Sequence, residues 1–372
     1  MSEIIAKRVS NYELFYDLVF VLATSSLTGL LHGDHIGLRE ILTFITANLI
    51  IMTLWINETI YLNKYGERDL LDIFTIIASM FVVGQLSLNF SHDFKATALP
   101  FTIFLTLSYL LLCLQYYLRG RKIGFTADIK NSLYMFGIYL LVFFLALVAI
   151  YFNFWTYDEK SLLLFYLPFF ISYFFKDKLS HDVMNFPHIV ERCQLITIIT
   201  FGEMVIAILK NYPIQTHLLT SVLFFLAMAF SFMFYISQTY LNINHHQKTN
   251  VATLLYAHMV LVLGINFFTV SVEVLPGEHA SLGLPFLLIG YFLYFIGILM
   301  TSRYNQDLYQ LDKMVWLQYA IVVFTTVILL IAFHHHLTLI AAILVASSFM
   351  MLVISFRHRN RVEDELEKSS RD

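Results

Sequence analysis

The sequence predicts an all-α polytopic membrane helix bundle with about 12 transmembrane helices. Three observations carry that prediction. Of 372 residues, 59% are hydrophobic and only 13% are Asp, Glu, Lys or Arg, against ~25% charged residues in a soluble domain. The 36 Phe, 22 Tyr and a mean hydropathy of +0.72 leave too little polar surface to cover a globule in water. The apolar runs also recur near the length of ~20 residues that crosses ~30 Å of hydrocarbon.

The runs between polar breaks fall at about 12–31, 40–62, 71–91, 97–118, 131–153, 161–176, 192–210, 214–240, 251–275, 281–302, 313–333 and 336–356. The sixth is short and carries Pro168. With the N-terminus placed in the cytoplasm, all of the 23 Lys and Arg except Arg39, Lys95, Lys160 and Lys210 fall on inner segments. That skew is the positive-inside signature of a correct topology. Both termini are therefore expected in the cytoplasm and the chain in the cell (plasma) membrane. Lys7 and Arg8 precede an apolar run that contains Glu13 and Asp17 and is long enough to span, so it reads as a retained first helix and not a cleaved leader.

The halves look related. Tyr61-Leu62-Asn63 recurs as Tyr240-Leu241-Asn242, Glu13 matches Glu191, and Gly84 matches Gly264, all at nearly one offset. Six spans per half would give a 6+6 parallel repeat, as in several transporter folds. The expected division is 1–186, 187–356 and a mixed-charge solvated cytoplasmic tail, 357–372.

The same composition excludes several functions. A net charge of −3 with scattered basic residues offers no nucleic-acid face. Cys113 and Cys193 sit in apolar runs and make no disulfide framework. Neither a Walker nor a Rossmann glycine pattern is present. Histidines gather in the outer loops, but none shows a ligand spacing fixed on one helix. No cofactor and no metal are expected. The partners expected are the lipid bilayer and a small solute, ion or lipid, with a homo-oligomer left open.

Ionisable groups in hydrocarbon cost ~2.5–3.5 kcal/mol each at a helix centre, so each needs a reason. Glu13 and Asp17, at i and i+4, share one face of the first helix near its cytoplasmic end. Glu58, Asp72 and Glu191 lie about a turn from the cytoplasmic ends of theirs. Lys64, Arg68 and Arg192 are close enough in depth to pair with them. Two readings follow: a charge cluster that locks helix ends, or a carboxylate-lined site for a cation or proton. Glu203 lies ~16 Å of rise beyond Arg192, near the midplane, where a carboxylate can bind and release a proton. Gly202 beside it would allow close backbone approach or a local break. His258, on the ninth span, could relay protons near neutral pH. Asn48, Gln85, Asn89 and Asn266 are polar at similar depth.

These residues also carry a resemblance. Glu13-Leu14-Phe15-Tyr16-Asp17-Leu18-Val19-Phe20-Val21 resembles the opening signature of the low temperature requirement protein A (LtrA) family. Trp55 through Tyr61-Leu62-Asn63 is similar to its second helix. Glu191-Arg192 continued to Gly202-Glu203, and Tyr256-Ala257-His258 with Leu263-Gly264-Ile265, are similar to two further blocks. The family's usual Tyr-Phe-Asp on the eighth helix reads Phe234-Tyr235-Ile236-Ser237 here, so no role passes to Ser237. Cys193 and Gln194 likewise replace the usual Phe-Gly. The resemblance implies a multi-pass membrane protein required for growth in the cold. It singles out Glu13, Asp17, Glu191, Arg192, Gly202, Glu203 and His258.

The function expected is an ion- or proton-coupled secondary transporter. Glu203, Asp17, Glu13, His258 and Glu58 would be its proton, cation or substrate residues, and Glu191, Arg192, Arg68 and Asp72 a structural charge cluster. The alternatives are a membrane enzyme acting on a lipid or lipid-linked substrate through Glu13, Asp17 and Glu58, or a non-catalytic receptor or structural protein.

Overall fold

Ser10 starts the first helix in the computed structural model, which describes residues 7–32, 36–67, 69–91, 94–154, 162–175, 184–277 and 279–369. Its hydroxyl accepts from the Glu13 N–H, and the Glu13 carboxylate accepts from the Ser10 N–H. This reciprocal capping box satisfies two backbone donors that a helix start leaves open. Helix α1 (Asn11–Asp17) passes into α2 (Val19–Gly29) through Leu18, which keeps right-handed helical angles and donates to Phe15 O and Tyr16 O. The first expected span is thus one rod with a tightened turn, and Asn11–Gly29 gives roughly 28 Å of rise.

The remaining helices are α3 (Leu38–Tyr65), α4 (Leu70–Leu88), α5 (Phe94–Ile123), α6 (Ala127–Tyr151), α7 (Leu162–Phe165), α8 (Leu167–Phe175), α9 (Phe186–Asn211), α10 (Ile214–Ile236), α11 (Ala252–Val274), α12 (Ala280–Thr301), α13 (Lys313–Ala332) and α14 (Leu337–Ser369). Among the described residues, 10 helices are long and apolar enough to cross a membrane. The other two expected spans are the first, divided at Leu18, and the sixth, divided at Tyr166. Pro168 has no N–H to continue the ladder there, and the apolar piece is correspondingly short. Arg68 and Trp155, and Asp34, His35, His92, Asp93, Lys160 and Glu278, expected in outer loops, lie outside the described residues.

The charged tail has regular structure. It is helical, continuing α14 to Ser369, and most of its side chains from Arg357 onward are exposed. Arg359 and Glu363, at i and i+4, pair at 2.9 Å, which supports the helix across its polar turns. Arg361 pairs with Asp312, and the Tyr309 hydroxyl donates to Glu363.

The chain divides into two compact units. The first comprises 1–199 and 246–255, the second 200–245 and 256–372. In the first unit, α2 packs on α4, α4 on α5 and α5 on α6. Aromatic rings fill the α5–α6 seam, with Tyr109 stacked on Phe143 at 5.7 Å and Tyr116 against Phe136 at 5.5 Å.

The second unit is tied by small residues and hydroxyls. A Cβ on Gly264 of α11 would lie 2.5 Å from the Tyr294 backbone nitrogen, and one on Gly290 of α12 would lie 2.7 Å from the Phe268 nitrogen. Glycine is what lets these two backbones touch. Between α10 and α14, Thr220–Thr338, Ser231–Ser348 and Ser237–Ser355 bond at 2.8, 2.9 and 2.9 Å. The α10 helix ends in a π turn, Ser237–Leu241. Gly202 differs from Gly264: a Cβ there meets nothing within 4 Å among the described residues, and α9 runs unbroken through it. The expected close approach at Gly202 is not made.

Candidate functional site

Helix α1 carries two carboxylates on one face because Glu13 and Asp17 are four residues apart. Both are buried, Glu13 at 4% and Asp17 at 1% exposure. Arg192, on α9 and fully buried, reaches both. Its guanidinium is 3.0 Å from Asp17 Oδ1 and 3.7 Å from Glu13 Oε2. Trp55 of α3 donates its indole N–H to the same Asp17 Oδ1 at 3.0 Å, and the guanidinium lies 5.7 Å from the Trp55 ring centroid. Arg192 also donates to Thr59 Oγ1 at 3.3 Å. Asp17 Oδ2 is buried and accepts no hydrogen bond among the described residues.

His188, one turn before Arg192, completes the Glu13 side. Its Nε2 is 2.9 Å from Glu13 Oε2, and its Nδ1 is 2.9 Å from Asn63 Nδ2. The Asn63 amide is oriented by two backbone bonds, since its oxygen accepts from Asn185 N and its nitrogen donates to Asn185 O, each at 2.9 Å. His188 Nδ1 must then accept, so the ring carries its proton on Nε2, facing Glu13. Asn63 of α3 thus fixes the tautomer of His188 on α9.

Glu58 stands one turn before Leu62 on α3 and is 1% exposed. No cation pairs with it among the described residues. Its one hydrogen bond runs from Gln115 Nε2 of α5 to Oε1 at 2.8 Å. Gln115, fully buried, also donates to Thr75 Oγ1 at 3.2 Å. The Gln115 oxygen, Oε1, accepts nothing.

Asp72 belongs to a neighbouring network whose cation was not anticipated. Arg119 donates to Asp72 Oδ2 at 2.8 Å and pairs with Glu67 at 2.7 Å. Tyr61 donates to Asp72 Oδ1 at 2.9 Å, and the Glu67 N–H to Oδ2 at 2.5 Å. Lys122 closes the rim on Glu67 and Asp69 at 2.8 and 2.9 Å. Hydrogen bonds from Lys122 and then Arg119 hold the Glu67 carboxyl below the usual carboxylate range. The Asp72 backbone N–H and then Lys122 do the same for Asp69. Lys64 pairs with Asp128 at 2.8 Å instead of with the Glu13 cluster.

A cavity of about 160 Å³ reaches this end of the unit, lined by Lys7, Arg8, Glu13, Glu67 and Asp72 among others. Lys7 caps α3 from its edge, donating to Leu62 O and Gly66 O at 2.5 and 2.8 Å. Glu191 turns to the exposed face and accepts from the Val9 N–H at 3.4 Å.

The other two anticipated residues lie in the second unit. Glu203 is buried on α9. His258 of α11 is buried, and its Nε2 is 3.0 Å from the Tyr235 hydroxyl, with the rings edge to face.

The first unit therefore gathers Glu13, Asp17 and Arg192 with His188, Trp55 and Asn63, and sets Glu58 on Gln115. Arg119 could have been suspected from depth, because it ends an apolar run, but it reads as one more inner-loop charge. Gln115 gives no sequence signal beyond being an amide in an apolar run.

Residues 8–354 match the family model described as bacterial low temperature requirement A protein (LtrA). No curated protein matches the chain.

Proposed function

Because this chain belongs to the low temperature requirement A family and holds a buried excess of carboxylates, we propose that it is an ion-coupled secondary transporter of a small solute. It acts in the cell membrane, with both termini in the cytoplasm, and supports growth in the cold. The family assignment makes it a multi-pass membrane protein; the transport activity is our reading.

One observation carries it. Glu13 and Asp17 are buried on a single buried guanidinium, Arg192, with His188 beside Glu13, and Glu58 is buried on Gln115 with no paired cation among the described residues. A carboxylate left without a countercharge costs several kcal/mol in a low-dielectric site. The cluster is relieved by a bound cation or by protons, and a site that must change its charge state is what coupling to an ion gradient requires. Asp17, with Arg192 as fixed countercharge, acts as the inner relay. Glu203 and His258 supply a second titratable site in the other unit. Carboxylates buried to this degree suit an ion better than the headgroup of a lipid substrate, which would have to reach them.

The test is cold-growth complementation of a deletion strain by wild type, Asp17→Asn, Glu58→Gln and Glu203→Gln, with membrane abundance measured in parallel. The expected outcome is normal abundance with failed rescue for Glu58→Gln and Glu203→Gln. Full rescue by both would sink the transporter reading.

A further inference from the structure

We propose that the ion taken up in the first unit is a proton carried on Glu58, and that Gln115 is the residue that positions it. This rests on the ion-coupled reading above and names both the ion and its carrier.

The geometry around Glu58 is that of an acid and an amide, not of a salt bridge. A buried carboxylate ordinarily meets a cation or several N–H donors. Glu58 receives one N–H, from Gln115. The groups that act on it electrostatically are Arg192 from α9, Asp72 from α4, and Glu13 and Tyr16 from α1. Arg192 is committed to Asp17 and Glu13, and Asp72 to Arg119. Among the described residues no cation forms an ion pair with Glu58.

Gln115 supplies the second, independent observation. Its nitrogen is used twice, toward Glu58 and Thr75, while its oxygen is buried and accepts nothing. A buried amide oxygen without a donor costs about 1–3 kcal/mol. A proton on Glu58 Oε2 removes both defects together. The neutral acid needs no countercharge, and its O–H is the donor that Gln115 Oε1 lacks. The pair then forms the closed acid–amide ring in which C=O accepts N–H and O–H donates to C=O.

The step is a simple protonation. The Glu58 carboxylate takes one proton from water and becomes the carboxylic acid, and on release the proton returns to water. Nothing is oxidised and no other bond changes. At Glu58 itself the Gln115 N–H already points at Oε1, an oxygen that a metal cation would have to take over.

Infrared difference spectroscopy of the full-length protein in lipid, titrated with acid, tests this directly. The expected result is a carboxylic-acid C=O band that titrates, moves to lower frequency in D₂O, is absent in Glu58→Gln and is displaced in Gln115→Leu. The D₂O shift and the Gln115→Leu displacement keep the assignment testable should Glu58→Gln fail to fold. Identical titrating spectra for wild type, Glu58→Gln and Gln115→Leu would overturn it. A Glu58 band in a protein whose Glu58→Gln variant still supports cold growth would keep the proton assignment and remove the transporter reading, so the two claims fail separately.

Discussion

The two compact units solve the problem of holding helices together in hydrocarbon in different ways. The first relies on charge: Arg192 and Arg119 are buried against carboxylates, and Asn63, Trp55 and Gln115 fix the acids' geometry. The second relies on contact: Gly264 and Gly290 bring α11 and α12 backbone to backbone, and paired hydroxyls tie α10 to α14. Paired hydroxyls stay neutral near neutral pH and do not themselves carry a proton charge. Buried acids outnumbering their cations can. A unit held by an unbalanced charge cluster gives up some stability for a state that responds to protons.

The largest expected effect strikes the charge side. Arg192→Met leaves Asp17 and Glu13 without their cation and should cost about 3–5 kcal/mol, with loss of folded protein in detergent as the readout. Adding Asp17→Asn should restore part of that loss. If Arg192→Met is as stable as wild type, the first unit is not held by charge. The contact side breaks next. Gly264→Ala drives a methyl into the α12 backbone and should cost about 1–3 kcal/mol or more in thermal unfolding. Gly202→Ala is the control, since its added Cβ meets open space; it should be neutral or stabilise by about 0.5–1 kcal/mol.

Smaller effects sharpen the contrast. Ser231→Ala should cost about 0.6 kcal/mol, the usual worth of an interhelical hydroxyl bond in a membrane bundle. The rim of the first unit should show a weak acid sensitivity. Glu67 and Asp69 have carboxyl pKa values depressed by Lys122, Arg119 and a backbone N–H. Their contribution is present above the ordinary carboxylate range and is lost as pH falls through the depressed values. Glu67 is exposed and Asp69 half-buried at the rim, where solvent screens them, so Lys122→Met should flatten the acid limb of the melting-temperature profile only slightly. A larger change would mean the rim is more deeply coupled to Arg119 than its exposure implies.

Much of this arrangement was legible in the sequence, and the failures have physical causes. The i, i+4 spacing of Glu13 and Asp17 fixed a shared face, and their depth pointed to Arg192, which the fold delivers. Gly264, noticed only as a repeat match, turns out to be a backbone contact, whereas Gly202 is not. A glycine's neighbours belong to another helix and leave no local trace. Arg119 lay hidden among the charges of Arg119-Gly120-Arg121-Lys122, where composition cannot say which one turns inward. His188 and Gln115 act through atoms of residues more than fifty positions away, Asn63 and Glu58. The tail's polarity pointed to solvation, and its Arg359–Glu363 spacing is that of a helix, which the fold forms.

The most direct test of the central claim, that the first unit carries a charge-changing acid, needs no known substrate. Proteoliposomes adsorbed on a supported membrane and stepped from neutral to acidic pH report charge movement when a proton binds. The account predicts a transient current for wild type that is lost in Glu58→Gln at equal protein density. A transient of the same size in Glu58→Gln would contradict it.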